Sequence, residues 1–157
     1  MDFSVDARRA YFMRQPLPGS QGGEAVRLLD TDHLDDGRSL YFAARSLDGG
    51  PPLVRAIAGA DRVSFEVLGD RWSRDGKRLY HQGQVRPGSP ASFQVLGRGY
   101  VRSDRAVWHL GEPLRGVELK SFEVLPKGAA SGPPGDEADA RDATRRYRGG
   151  EPLARSR

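Results

Sequence analysis

The chain has 157 residues, with 25 basic against 21 acidic side chains for a formal net charge of +4, 37% hydrophobic residues, 20 Gly, 11 Pro and no Cys. That length is enough for one domain with a real core, and the missing cysteines exclude a disulfide framework and any thiolate metal site. Abundant Gly and Pro against a modest apolar content favour short strands joined by turns over long packed helices, so the expected class is all-β. No run approaches the length of a membrane span and the first ten residues lack an apolar signal region, which predicts a soluble, cytoplasmic chain without a membrane partner. The positive charge is almost all Arg, with Lys77, Lys120 and Lys127 the exceptions, and Arg prefers flat or bidentate acidic partners.

Taken from the start, Asp6-Ala7-Arg8-Arg9-Ala10-Tyr11-Phe12 sets a pattern of Asp, a basic turn, an aliphatic and an aromatic five residues after the Asp. Ala25-Val26-Arg27-Leu28-Leu29 follows as a degenerate apolar segment, and Asp36-Gly37-Arg38-Ser39-Leu40-Tyr41-Phe42 repeats the pattern. From here one pentapeptide recurs. Ser64-Phe65-Glu66-Val67-Leu68, Ser92-Phe93-Gln94-Val95-Leu96 and Ser121-Phe122-Glu123-Val124-Leu125 differ by a single Glu/Gln exchange and start 28 and 29 residues apart. Between them lie Asp75-Gly76-Lys77-Arg78-Leu79-Tyr80-His81 and Asp104-Arg105-Ala106-Val107-Trp108-His109, the second read as a turn one residue shorter with Trp for Tyr.

Each pentapeptide is short, apolar, β-branched and flanked by Gly or Pro, which predicts a central strand. Asp75-Gly76 predicts an Asx-type or hairpin turn, Leu79 to His81 a second strand, Gly83, Gly111 and Gly150 tight reversals with φ > 0, and Gln84-Val85-Arg86 an edge strand. A 28-residue unit is shorter than a four-stranded propeller blade. The expected architecture is therefore tandem three-stranded β-meander repeats, stacked in an elongated or partly closed array. They fill a β-repeat domain over residues 1–125, with units near 6–34, 36–68, 75–96 and 104–125. Residues 126–141, rich in Ala, Gly, Pro and Ser, predict a flexible, disordered linker. Residues 142–157, with Asp142 and Tyr147 at the repeat spacing but Arg145, Arg146 and Arg148 at apolar positions, predict a degenerate partial repeat or tail, dispensable for folding.

The Asp, basic pair, aliphatic, aromatic and Gly order, followed by Gly59-Ala60-Asp61 and Ser64-Phe65-Glu66-Val67-Leu68-Gly69, resembles the DKNYY family of bacterial repeat proteins, best over Gly59 to Leu125. That family has no assigned activity. The resemblance implies β-rich repeats and no catalytic residues.

The chemistry-bearing residue types give no anchor for catalysis. His81 and His109 occupy the position held by Phe12 and Phe42, which makes them half-buried rings rather than metal ligands. The acidic run Asp30 to Gly37 lacks the Gly at position six and the closing Glu of a calcium loop and reads as a solvated turn. Gly97-Arg98-Gly99 lacks the third Gly of a dinucleotide loop. The repeat Asp residues have a complete explanation as turn formers, so no enzyme activity, cofactor or metal is expected.

The basic stretch from Asp70 to Arg105 is the better candidate, with Arg71, Arg74, Arg78, Arg86, Arg98 and Arg102 as expected partner-binding residues on one continuous surface. Two functions fit. One is a noncatalytic protein-interaction module of the bacterial immunity or scaffold type, binding an acidic protein partner. The alternative is a nucleic-acid-associated protein using the Arg stripe with Trp72, Tyr80 and Tyr100 interleaved for stacking.

Overall fold

The computed structural model describes residues 2–128 and 137–154. Apart from one 3₁₀ turn at Pro90–Ser92, every regular element among them is a short strand. The strands make five antiparallel sheets, each joined in chain order. The first sheet holds β1 (Phe3–Val5), β2 (Ala10–Phe12) and β3 (Gln15–Pro16); the second holds β4 (Arg27–Leu28), β5 (His33–Asp35), β6 (Leu40–Ala44) and β7 (Leu53–Ala56). The third is β8 (Glu66–Gly69), β9 (Trp72–Arg74), β10 (Leu79–His81) and β11 (Gln84–Arg86). The fourth is β12 (Gln94–Gly97), β13 (Tyr100–Arg102), β14 (Val107–His109) and β15 (Glu112–Pro113), and the fifth is β16 (Glu123–Val124), β17 (Ala140–Arg141), β18 (Arg146–Arg148) and β19 (Glu151–Pro152). The chain divides into two compact units, residues 1–86 and 87–157. No helix among the described residues is long and apolar enough to cross a membrane.

The chain is all-β and repetitive; the first sheet has the expected three strands, but the other four have four, and the repeat has a different phase. Trp72–Arg74 and Tyr100–Arg102, segments to which the sequence pattern assigns no strand, are strands of their own. Three residues flanked by charges are too short to show an alternation. Each is entered by a two-residue reversal with both φ values positive, 48° at Asp70 and 66° at Arg71 before the first and 54° at Arg98 and 81° at Gly99 before the second, the hairpin turn whose twist matches the flanking strands. Sheet neighbours are set by such tight turns. The expected unit 75–96 therefore straddles two sheets, whereas one sheet runs from the pentapeptide at Glu66 to Arg86.

The same ordering moves the pentapeptides to the outside. β8, β12 and β16 are the outer strands of their sheets, not the central ones. Phe122 is buried, Phe65 and Phe93 are half-buried, and Val95 is 64% exposed. The core is carried instead by strands that pair on both sides, which supply Tyr41, Phe42, Trp72, Leu79, Tyr80, Tyr100, Val107 and Trp108, all at most 2% exposed. Such side chains meet neighbours from the adjoining strands and sheets, so water is excluded from them most completely.

Successive sheets within a unit touch through the last turn of the repeat. Gly83, with φ of 72°, lies so close to the second sheet that a Cβ would stand 2.9 Å from the Phe42 Cβ. Gly150, with φ of 84°, meets His109 in the same way at 2.8 Å. Glycine is required there for conformation and space together.

The C-terminal stretch is part of the fold. Of the expected linker, residues 129–136 lie outside the described residues, but Ala140–Arg141 is β17 and pairs with Glu123–Val124. Ala140 and Tyr147 join Tyr100, Val107, Leu114 and Phe122 in one buried cluster. Asp139, at the end of the same stretch, accepts the Tyr100 hydroxyl at 2.7 Å, and Tyr100 in turn accepts the Gly150 N–H at 2.8 Å. One alanine and one tyrosine from this stretch complete the cluster, a signal that low-complexity composition conceals.

Candidate functional site

The repeat aspartate is built for structure. Asp75 Oδ1 accepts the N–H groups of Lys77 and Arg78, both at 2.7 Å, while Oδ2 accepts the Tyr80 hydroxyl at 2.7 Å and the Asp61 N–H at 3.0 Å. Asp142 repeats all four bonds with Thr144, Arg145, Tyr147 and Glu118. Burial of Asp75 would raise its carboxyl pKa, but these donors outweigh that effect and hold it below the usual value. Tyr80 is pushed up to about 12 by burial and by the Asp75 carboxylate.

In the fourth repeat the residue in this place is Ser103, not Asp104. Ser103 Oγ accepts the N–H groups of Arg105 and Ala106, and Trp108 stands five residues on, as Tyr80 does from Asp75. The turn has its full length. The shortening expected from Asp104 is absent, because the serine one residue earlier takes the turn position.

A second recurring pair runs between the first two strands of each four-stranded sheet. Glu66 faces Arg74, Glu123 faces Arg141, and Arg27 faces Asp35 with the two signs exchanged. The contacts are Arg74 Nε to Glu66 Oε2 at 2.8 Å, Arg141 Nε to Glu123 Oε1 at 2.5 Å, and Arg27 Nη2 to Asp35 Oδ2 at 3.1 Å. In the fourth sheet Arg102 faces Gln94 and donates Nε to its Oε1 at 2.8 Å. The Glu/Gln exchange in the pentapeptide is thus the acidic half of a cross-strand pair.

The six expected partner-binding arginines divide between the two units. In the first, Arg71 pairs with Asp32 at 3.3 Å, Arg74 with Glu66, and Arg78 lies exposed over Gly59. Arg86 keeps a buried Nε without a hydrogen-bond partner. In the second, Arg98 donates Nη1 to the Leu125 carbonyl at 3.3 Å and Arg102 holds Gln94. Arg86 and Arg71 come together at His81, whose ring is buried against Trp72. Burial first, and these two cations second, lower its pKa to about 4.

No family model, no curated protein and no solved structure matches this chain. The geometry therefore carries the reading alone.

The acidic run 30–37 is not the solvated turn expected. It contains β5, with His33, Asp35 and Asp36 buried. Asp35 is held by Arg27 and by a two-point contact from Arg62, with Nε to Oδ1 at 2.8 Å and Nη2 to Oδ2 at 3.0 Å. Asp36 serves its own turn and the Gln21 N–H. These carboxylates are buried because cations and backbone donors reach them.

One cavity in the second unit was invisible in the sequence. It has a volume of about 390 Å³ and is lined in part by Gln94, Arg102, Asp104, Ser92, Leu119 and Lys120. Its only sequence trace was the Gln in place of Glu.

Proposed function

We propose that this chain is a noncatalytic protein-interaction module whose partner is acidic. The observation that carries the reading is a segregation of charge. Every buried carboxylate, namely Asp35, Asp36, Asp75 and Asp142, is enclosed with its donors, while no arginine or lysine among the described residues is buried. The surface is therefore more basic than the net charge of +4 suggests. A partner with a carboxylate-rich face gains association rate and orientation from such a surface. The turn aspartates support the noncatalytic part, since hydrogen bonds that shape the repeat occupy both oxygens of Asp75 and of Asp142. A place among bacterial immunity or scaffold proteins belongs to the same proposal, as one type of noncatalytic interaction module, and kinship with the DKNYY repeats rests on the sequence resemblance.

The nucleic-acid reading needs aromatic faces for base stacking. Trp72, Tyr80 and Tyr100 are at most 2% exposed and pack inside the sheets, which favours the protein partner. The test compares retention on immobilised poly-glutamate with retention on a single-stranded oligonucleotide at matched charge density and physiological salt. The reading expects preferential capture by poly-glutamate, weakening as salt rises and in the double variant Arg78→Glu with Arg98→Glu. Preference for the oligonucleotide would overturn it.

A further inference from the structure

The cross-strand pair that recurs through the molecule is an ion pair in three sheets and is left half-neutralised in the fourth. Arg27–Asp35, Arg74–Glu66 and Arg141–Glu123 each bring a guanidinium to a carboxylate. Arg102 keeps the guanidinium and the same register, but its partner is Gln94. Glutamine and glutamate have nearly the same shape and both accept a hydrogen bond through Oε1, so the exchange preserves the geometry and deletes only the counter-charge. Gln94 still receives Arg102 Nε at 2.8 Å and so aims the guanidinium. The terminal nitrogens remain for an outside acceptor.

This is the position at which the cavity opens. Lys120, from the connection leading to the fifth sheet, lines the same cavity, and neither Arg102 nor Lys120 forms an ion pair among the described residues. The opposing charge in the lining is Asp104, whose Oδ1 already accepts the Ser89 N–H at 2.8 Å and the Ser92 hydroxyl at 3.0 Å. Two cations thus face one carboxylate, one of whose oxygens is held by its own loop. Leu119 adds an apolar wall, suited to the methylene stem of an acidic side chain.

We propose that this cavity receives a carboxylate side chain of an acidic protein segment, which supplies to Arg102 the counter-charge that glutamate gives in the sibling sheets. The proposal rests on the acidic-partner reading and locates where that partner is gripped. The ligand carboxylate accepts from the terminal nitrogens of Arg102 and from the Lys120 ammonium, while Gln94 holds the guanidinium in line.

The experiment uses the full chain and a fluorescein-labelled hexaglutamate peptide, with affinity read by anisotropy at low salt. Gln94→Glu restores the sibling arrangement, so it should fold with an unchanged or raised melting temperature and yet bind the peptide at least about fivefold more weakly. Arg102→Gln should lose about as much, Lys120→Gln about threefold, and Arg38→Gln, which does not line the cavity, nothing. Peptide affinity unchanged in both Gln94→Glu and Arg102→Gln would overturn the cavity assignment while leaving the acidic-partner reading intact. Absence of hexaglutamate binding to the unaltered chain would overturn both. Arg102-dependent binding of inorganic phosphate without binding of the peptide would overturn the proposal in favour of a phosphate site.

Discussion

Tyr80 donates its hydroxyl hydrogen to Asp75 Oδ2 at 2.7 Å, and the repeat that has Trp108 in place of this tyrosine has Ser103 in place of this aspartate. The two exchanges explain each other. Tryptophan brings no hydroxyl to the carboxylate, and a buried carboxylate with fewer donors is costly. Serine keeps the two turn acceptances and donates its own hydroxyl to the Pro87 carbonyl at 3.0 Å.

The pair therefore predicts a measurable coupling in the third repeat. Asp75→Ser alone should destabilise by about 2–4 kcal/mol, because the Tyr80 hydroxyl and the Asp61 N–H lose their charged acceptor. Tyr80→Trp alone should also destabilise. The double variant should fall short of the sum by about 1 kcal/mol, as expected for residues sharing one network. Denaturant unfolding of the four proteins in the cycle measures this, and strict additivity would contradict the account.

His81 predicts a dependence on mild acid. Its folded pKa of about 4 lies below the ordinary value of 6.5, so between those limits the unfolded chain binds the extra proton. Stability is then full above pH 6.5 and falls as the pH drops toward 4, by up to about 3 kcal/mol. Phe12 and Phe42 hold the same repeat position, so His81→Phe should fold and flatten the profile between pH 6.5 and 4.5. Melting curves across that range decide it. A profile as steep in the variant as in the original chain would assign the effect to other groups.

The docked fifth sheet predicts that the C-terminal residues are needed. Tyr147 is 1% exposed and packs in one cluster with Tyr100 and Phe122. Tyr147→Ala should cost about 3–5 kcal/mol, the range for deleting a large buried aromatic. Removal of residues 127–157 should do more, exposing Phe122 and leaving Tyr100 without Asp139. A truncated chain that melts as cooperatively and as high as the full one would show that this sheet adds nothing to stability.

The outer position of the pentapeptide strands predicts an unequal response from identical sequence motifs. Phe122 is 4% exposed whereas Phe93 is half-buried. Phe122→Ala should approach about 3–5 kcal/mol, and Phe93→Ala should cost clearly less, since transfer and cavity contributions both scale with burial. Equal losses in urea unfolding would argue that the two strands are equally enclosed.

What the sequence determined by itself is the local chemistry of a repeat. Asp75 with Tyr80 five residues later, the glycines at 83, 111 and 150, and the recurring Ser-Phe-Glu-Val-Leu segment are short-range patterns, and turn type depends on the few residues inside each turn. From them the all-β class and the repeat period follow. Only the tertiary structure decided which strands are central, because pairing on both sides depends on neighbours that meet in space. It placed Trp72–Arg74 between β8 and β10, set the pentapeptide strands β8, β12 and β16 at the sheet edges, and drew Ala140 and Tyr147 into a core that a run of Ala, Gly and Pro gave no reason to expect. Charge followed the same division. The number of arginines is written in the chain, but cross-strand register alone decides that Arg74 and Arg141 each meet a glutamate while Arg102 meets Gln94, beside a cavity.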